Sequence, residues 1–350
     1  MYVLMLFPAS ANGGARSMVE TLSQALEARG VDVANAWVGV DSISFSGRAS
    51  ERLPAKGFLV QSRLLQRWAN THAIDVIHSH LDAYRLAAWT GWRSHRPSLR
   101  TVHGRLDRPG MLAPAERYGT WASIRLFGQH IVSVSEYVTR DLLVTYPLAL
   151  ERNVFEIANG VTLPDRMPER SSDSGPLRVL YVGRLEEAKG FDHLLEAIVQ
   201  LHQENVPIHF TAVGDGPLKA RIPHDNRIEV TDGWIARGDI QAYVARSDVF
   251  VLPSYSEGLS IALLEAMAQG VIPMVSEAAA ANGIVTEGHN GFMISTGSSD
   301  AIAAGLRSIA EHPREIDRLR RNAYATIRGR FSADRMAADY VNLYTRLLSC

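Results

Sequence analysis

Apolar and polar positions along this chain follow two alternating rhythms. In the first half, short runs dominated by apolar residues occur at 2-YVLMLF-7, 32-DVANAWV-38, 75-DVIHSH-80, 99-LRTVHG-104, 130-HIVSVS-135 and 154-VFEIAN-159. Runs of this length and character predict strands that are covered on both faces. Between them, apolar residues recur every three to four positions. The clearest such segment is 14-GARSMVETLSQALEARG-30, where Met18, Val19, Leu22 and Leu26 form one stripe and Gly30 supplies a stop. Strand followed by amphipathic helix, repeated, is the pattern of βαβ units around a parallel sheet.

The rhythm breaks at 163-LPDRMPERSSDSGP-176, which is rich in proline, serine and charge and has no apolar period. It reads as an interdomain linker. Beyond it the pattern restarts. Strands are predicted at 177-LRVLYVG-183, 207-PIHFTAVG-214, 227-RIEVTDG-233, 248-DVFVLPS-254 and 271-VIPMVSE-277, with helices from Gly190, over 238–246 and from about Ser260. The last segment, 332-SADRMAADYVNLYTRLLS-349, opens with a serine suited to an N-cap and carries Met336, Tyr340, Leu343 and Leu347 at helical spacing. The fold class is therefore α/β, with two doubly wound halves in tandem. The expected divisions are a first domain over 1–162, a linker over 163–176, a second domain over 177–330 and a terminal packing helix in 331–350. At 350 residues the chain has room for two cores of ordinary size.

Composition adds a class and little else. Hydrophobic residues make up 46% and charged residues 21%, the profile of a packed globular protein. The net charge of −1 names no partner, but its distribution is uneven: residues 1–165 hold 17 basic against 14 acidic groups, and 47–108 hold eleven against four. One reading is a solvated arginine-rich face. The other is a surface for anionic lipid or a phosphorylated acceptor, formed by Arg48, Arg52, Lys56, Arg63 and Arg67, where each basic group near an anionic membrane contributes roughly 1 kcal/mol. The single cysteine, Cys350, permits no intrachain disulfide and no cysteine cluster for a metal. The amino terminus lacks the basic region of a signal peptide, and no apolar run reaches the length of a membrane span. A cytoplasmic protein is expected. A total charge near zero argues against nucleic acid.

Candidate chemistry gathers at predicted strand ends, where α/β sheets bind ligands. In 252-LPSYSEGLSIALLEAMAQG-270 a strand runs into a helix across Glu257 and Glu265, eight positions apart. The amides of 258–261 would present positive partial charge, and Gly258 would let an anion approach the backbone. Two carboxylates flanking an amide nest suit a molecule with hydroxyls at both ends and phosphates between. A capping glutamate and a surface glutamate on a core helix would give the same string. In 182-VGRLEEAKG-190, Arg184 and Lys189 could reach one cleft and neutralise a diphosphate, or could be solvated loop charges. The turn 213-VGDGPLK-219 places Gly214 at another strand end, a weak signal alone. In 8-PASANGGARS-17, Gly13 and Gly14 form a second backbone site, without the G-x-G-x-x-G of a dinucleotide-binding domain. His103, at the end of its strand, reads from the residues alone as a satisfied loop histidine.

Taken together, these pieces resemble the GT-B fold retaining glycosyltransferases of family 4 (glycosyl transferases group 1), over essentially the whole chain. The matching segments are the Gly13–Gly14 loop, 157-IANGVTL-163, 181-YVGRLEEAKG-190, 212-AVGDGPLK-219 and the E-x₇-E from Glu257 to Glu265. The resemblance implies two Rossmann-like domains facing a central cleft, with the C-terminal helix crossing back to the N-terminal domain. It implies that Glu257 and the amides of Gly258, Leu259 and Ser260 hold the donor sugar and phosphate, and that Glu265 holds the ribose hydroxyls. Arg184 and Lys189 would hold the diphosphate, with Gly13, Gly14 and Gly214 lining the donor site. His103 would stand beside the transferred sugar, and the block 233-GWIAR-237, with Trp234 and Ile235, would seat the nucleobase. Glu257, His103, Arg184 and Lys189 are the implied catalytic set.

Two departures from the family pattern bear on the donor pocket and on catalysis: E-G-L-S where many members have E-G-F-G, and N-G-V-T, with Thr162 in place of the commoner acid. No Asp-x-Asp occurs anywhere in the chain, so transfer without a metal, and without any cofactor beyond the nucleotide-sugar co-substrate, is expected. The favoured donor is a UDP-hexose or UDP-N-acetylhexosamine, with GDP-mannose as the alternative. The expected acceptor is a glycan or a lipid-linked precursor, met by an enzyme held peripherally at the inner face of an anionic membrane. Retention of configuration follows from the resemblance alone. Of the rivals, a nucleotide-sugar epimerase is opposed by E-x₇-E with Arg184 and Lys189. A nicotinamide dehydrogenase is opposed by the missing fingerprint, and a non-catalytic nucleotide-sugar binder by the complete charged set.

Overall fold

The apolar run at the amino terminus becomes the central strand of the first unit, β1 (Tyr2–Pro8), buried over nearly its whole length. In the computed structural model, residues 1–350 are described except for 11–12, 48–49, 105–112, 147–152, 170–174, 234, 281, 313–315 and 350. The chain divides into two units, Met1–Gly160 with Ala333–Cys350, and Val161–Ser332. No helix among the described residues is long and apolar enough to cross a membrane.

In the first unit, β1 pairs in parallel with β2 (Asp32–Val38) on one side. Two further strands lie beyond β2, β3 (Ser42–Gly47) and β4 (Glu51–Pro54), each antiparallel to its neighbour. On the other side of β1 follow β5 (Val76–His80), β6 (Ser98–Val102), β7 (His130–Ser133) and β8 (Val154–Glu156), all parallel. The sheet order is β4-β3-β2-β1-β5-β6-β7-β8. The crossovers are α1 (Gly14–Glu27), α2 (Phe58–Thr71), α3 (Tyr84–Ser94), α4 (Ala113–Arg125) and α5 (Glu136–Thr145). The β3–β4 hairpin is not among the strands expected from sequence. Only Ile43 and Phe45 of β3 face the core, between serines, so the alternation is too short to stand out.

The C-terminal helix, Ala333–Leu348, belongs to this first unit. Its apolar stripe is buried through Met336, Tyr340, Leu343 and Tyr344. Met336 Sδ lies 3.1 Å from the Gly160 amide, and the Tyr340 and Tyr344 hydroxyls bond to Thr101 Oγ1 at 2.8 Å and His78 Nδ1 at 2.7 Å. These bonds satisfy two phenols that burial would otherwise penalise.

Among the described residues the second unit has six strands, all parallel: β9 (Leu177–Val182), β10 (Ile208–Val213), β11 (Ile228–Val230), β12 (Val249–Leu252), β13 (Ile272–Ser276) and β14 (Phe292–Ile294). Their order is β11-β10-β9-β12-β13-β14. β14 also escapes a sequence reading, because its apolar triplet stands alone between Gly291 and Ser295. Helices α6 (Phe191–Gln203), α7 (Arg237–Ala245), α8 (Ile261–Ala268), α9 (Glu277–Ala280), α10 (Ser299–Glu311) and α11 (Ile316–Arg330) surround the sheet. Leu194, Ile198 and Leu201 of α6 pack with Phe210 and Leu306 in one buried cluster. The described start of the proline-rich segment lies with this unit. Tyr324 and Arg320 of α11 donate to the carbonyls of Pro164, at 3.3 Å, and Pro168, at 3.0 Å.

Candidate functional site

The order β11-β10-β9-β12 brings four strand ends of the second unit side by side. Two glycines set how tightly their loops fit. At Gly214, just beyond β10, φ is +151° and a Cβ would lie 1.9 Å from the Gly183 carbonyl oxygen. At Gly190, φ is +64° and a Cβ would meet the Pro253 carbonyl at 2.2 Å. Both positions demand glycine, because backbone atoms occupy the space of a side chain. The 184–190 loop therefore lies directly on the loop that leaves β12, and the Tyr255 amide donates to the Ala188 carbonyl at 3.3 Å.

That contact delivers Lys189 to Glu257. Lys189 Nζ donates to Glu257 Oε1 at 2.8 Å, and Ser254 Oγ donates to the same oxygen at 2.8 Å. Ser254 is buried, and its carbonyl accepts from Ser276 Oγ at 2.5 Å. All the contacts between the Glu257 carboxylate and described side chains therefore use Oε1.

Arg184, like Lys189, has an acidic partner of its own. Its guanidinium pairs with Glu186 at 2.8 Å and its side chain is 62% exposed, while Lys189 is paired with Glu257. Two acids take the two cations separately, because Glu186 is a near neighbour of Arg184 in the loop. The Arg184 carbonyl accepts from the Tyr181 hydroxyl at 2.6 Å. Burial, then the negative charges of Glu257 and Glu186, push the Tyr181 pKa far up, so the phenol stays protonated and donates.

Ser260 caps α8, its Oγ accepting from the Leu263 amide at 3.3 Å. The cap is thus the serine, and Glu257 is free of that duty. Every α8 residue but Ala262 is buried, Glu265 included at 8% exposure. Gly258 and Leu259 lie in the loop between Glu257 and the cap, with Leu259 buried. Past β11, Thr231 Oγ1 accepts from the Gly214 amide at 3.1 Å and donates to the Gly233 carbonyl at 3.0 Å. This ties Gly214 to the segment carrying Ile235, which is partly exposed ahead of α7. Trp234 lies outside the described residues.

In the first unit, Gly13 forms the N-cap of α1 at φ +66°, Gly14 is the first helical residue, and no side chain caps this end. His103 follows β6, and its Nε2 lies 3.3 Å from His80 Nδ1. The His80 ring lies 4.2 Å from that of His78, whose Nε2 meets Thr101 Oγ1 at 2.7 Å. Burial lowers all three pKa values, with neighbouring charge adding to it: His78 to about 3, His103 to about 4, and His80 well below the usual range. All are neutral at ordinary pH. His103 is therefore the visible end of a buried polar cluster. Sequence reasoning missed His78 and His80, although their i, i+2 spacing in β5 puts them on one face. It also missed Tyr181, Ser254 and Glu186, which lie within the quoted segments but whose partners are set by the fold.

Comparison with known proteins adds the following. A family model described as "Glycosyl transferases group 1" matches residues 165–326, and one described as "Glycosyltransferase Family 4" matches 12–163. A glycogen synthase of Mycobacterium tuberculosis is 26% identical over 293 residues, covering 77% of this chain and 68% of the relative. The amylovoran biosynthesis glycosyltransferase AmsK of Erwinia amylovora is 30% identical over 153 residues, 40% of this chain and 38% of the relative. The crystal structure of Anabaena Alr3699/HepE in complex with UDP-glucose superposes with a TM-score of 0.79 at 18% identity, covering 99% of this chain and 100% of that one. The likeness establishes the GT-B fold.

Proposed function

Because the chain belongs to the glycosyl transferases group 1, with an amino-terminal half of family 4, it is a glycosyltransferase that uses a nucleotide-sugar donor, and we propose that it moves a hexose or N-acetylhexosamine from a UDP-sugar, with retention of configuration, to a hydroxyl of a lipid-linked or polysaccharide-precursor glycan. The observation that carries this reading is the Lys189–Glu257 pair at the head of α8, with Glu265 buried in the same helix. Glu257 gives Oε1 to Lys189 and Ser254, which leaves Oε2 to accept from a hydroxyl of the donor sugar. Glu265 accepts from the ribose hydroxyls. Lys189, Arg184 and the amide end of α8 face the diphosphate, and preorganised charge of this kind contributes several kcal/mol in a closed site. Gly214 allows close backbone approach, and the Trp234–Ile235 segment seats the base. Neutral His103 of the first unit offers a hydrogen bond, not a charge.

The departing diphosphate carries the negative charge that these cations meet, and it is the base for the incoming acceptor hydroxyl. The chain has no Asp-x-Asp, and in this reading the cations do the work that such a motif's metal does elsewhere. UDP is favoured by the UDP-glucose in the Anabaena neighbour's structure. A polysaccharide-type acceptor is favoured by the glycogen synthase and amylovoran biosynthesis relatives. Peripheral contact with an anionic membrane through the N-terminal domain belongs to the same reading.

Titration calorimetry of UDP, GDP and UDP-GlcNAc, with and without EDTA, on wild type and Glu265→Ala tests the proposal. UDP binding that survives EDTA and weakens in the variant supports it. Binding of GDP alone moves the donor to GDP-mannose, and binding of none of these by the folded protein overturns the donor assignment.

A further inference from the structure

The face of the first unit formed by α2, α3 and the end of α4 carries large apolar side chains that the sheet leaves uncovered. Leu59 at the start of α2 is 61% exposed, Trp92 on α3 is 48% exposed and Leu126 after α4 is 55% exposed. They do not stand singly. Phe58 meets Trp89 with ring centroids 6.2 Å apart, Trp89 meets Trp92 at 5.5 Å, and both tryptophans meet Phe127 at 5.6 Å. One aromatic ridge therefore runs across three elements, with Leu59 and Leu126 near its ends. Gln66 Nε2 donates to the Arg93 carbonyl at 3.1 Å and pins α2 to the end of α3, so the ridge sits on a fixed scaffold. Exposed apolar surface that is contiguous across elements marks an interaction site.

The charge around the ridge selects the partner. Helices α2 and α3 together contain four arginines, Arg63, Arg67, Arg85 and Arg93, and no aspartate or glutamate. Lys56 stands just before α2. Leu59, Arg63 and Arg67 recur at i, i+4, i+8, so apolar and basic groups share one stripe of α2. Lys56, Arg63, Arg67 and Arg93 are exposed and make no ion pair with a described residue. Aromatic and leucine side chains flanked by unpaired arginines match the interfacial zone of an anionic bilayer, where rings settle among headgroups and cations meet lipid phosphates. A protein partner would need acidic groups against this many arginines around a projecting ridge. A phospholipid surface supplies both chemistries without a specific shape.

We propose that this ridge is the membrane-docking surface of the enzyme, with Phe58, Leu59, Trp92 and Leu126 entering the headgroup region and Lys56, Arg63, Arg67 and Arg93 holding anionic lipid. The inference deepens the lipid-linked acceptor reading. It moves the contact from a purely basic strip to an aromatic-basic face that takes in Arg93, one of the eleven basic residues of 47–108, and Trp92, which the sequence reading did not name. Arg48 of that strip lies outside the described residues.

Flotation with vesicles of phosphatidylcholine alone, and of phosphatidylcholine and phosphatidylglycerol in equal parts, tests it. Tryptophan quenching by acyl-brominated lipid is read in parallel. Wild type should bind the mixed vesicles, with quenching that Trp92→Phe largely removes. Arg63→Gln with Arg67→Gln should weaken partitioning about 30-fold, and Leu59→Ser with Trp92→Ser about tenfold. Both pairs lie on exposed positions and should keep the wild-type melting temperature and UDP calorimetry. Equal partitioning of wild type and variants, or absence of quenching, overturns the proposal. So does a concentration-dependent dimer in sedimentation velocity that Trp92→Ser dissociates, which would make the ridge a contact between copies. Loss of UDP binding by wild type is a separate result and bears on the donor assignment only.

Discussion

Lys189 Nζ and Glu257 Oε1 lie 2.8 Å apart, although 68 positions of sequence separate the two residues. The pair joins the loop after β9 to the loop after β12 and is only partly open to solvent. Glu257→Gln keeps the size and most hydrogen bonds of the side chain and removes its charge. We expect kcat to fall about 10²-fold or more, as when one preorganised polar group is lost from a transition-state site, with a melting temperature close to wild type. Steady-state kinetics beside calorimetric unfolding would check this, and a variant of wild-type kcat would remove Glu257 from catalysis.

Glu265 is buried on α8 in the midst of apolar neighbours. Its proposed ligands are two ribose hydroxyls, and hydrogen bonds to a charged group are worth about 1.5–3 kcal/mol. Glu265→Ala should therefore raise the Kd for UDP by about 10- to 100-fold. The Kd for inorganic pyrophosphate, which has no ribose, should not change. Equal losses for both ligands would mean that the substitution disturbs the loop and does not delete a ribose contact.

Gly214→Ala places a methyl group 1.9 Å from the Gly183 carbonyl at φ +151°. The backbone cannot yield there without parting β9 from β10. We expect a loss of at least about 2 kcal/mol from strain and overpacking combined. Urea denaturation should read it in the second-unit transition, with the first-unit transition unmoved. A neutral effect would show that the two loops separate in solution.

His78 and His80 hold neutral imidazoles inside the first unit, with pKa values below the 6.5 of an unfolded chain, His78 at about 3. Below about pH 6.5 the unfolded state takes up protons that the folded state refuses, so stability falls as pH falls. Above it the contribution is flat. Each histidine should add a slope of about 1.4 kcal/mol per pH unit. Urea midpoints of the first unit between about pH 7.5 and 5.5 should fall accordingly, and because His103 is lowered as well, His78→Gln should remove about a third of the cluster's slope. A midpoint independent of pH would place protonated histidines in the native core.

Much of the fold is legible in the amino-acid sequence alone. The run YVLMLF is buried on both faces because nothing in it can face water, and 14-GARSMVETLSQALEARG-30 forms its helix around one apolar stripe. Ser260 caps α8, as its position before the apolar run suggests. The hairpin β3–β4 is hidden because two buried residues among serines carry too little periodic signal, and β14 because its apolar triplet stands alone between Gly291 and Ser295.

Local pattern thus determined the βαβ rhythm, most strand and helix positions, and the loops in which the charged residues lie. It did so because burial periodicity is a property of neighbours in sequence. Only the tertiary structure decided the pairings: Lys189 with Glu257, Arg184 with Glu186, His103 with His80, and the rings of Phe58, Trp89, Trp92 and Phe127 with one another. Each of these except Arg184 with Glu186, and Trp89 with Trp92 three positions along α3, follows from sheet order or helix packing, which bring together residues far apart in the chain. Even the pairing of Arg184 with Glu186 was a choice, since Lys189 stood almost as close to Glu186 in sequence and was drawn away by a carboxylate on another strand's loop.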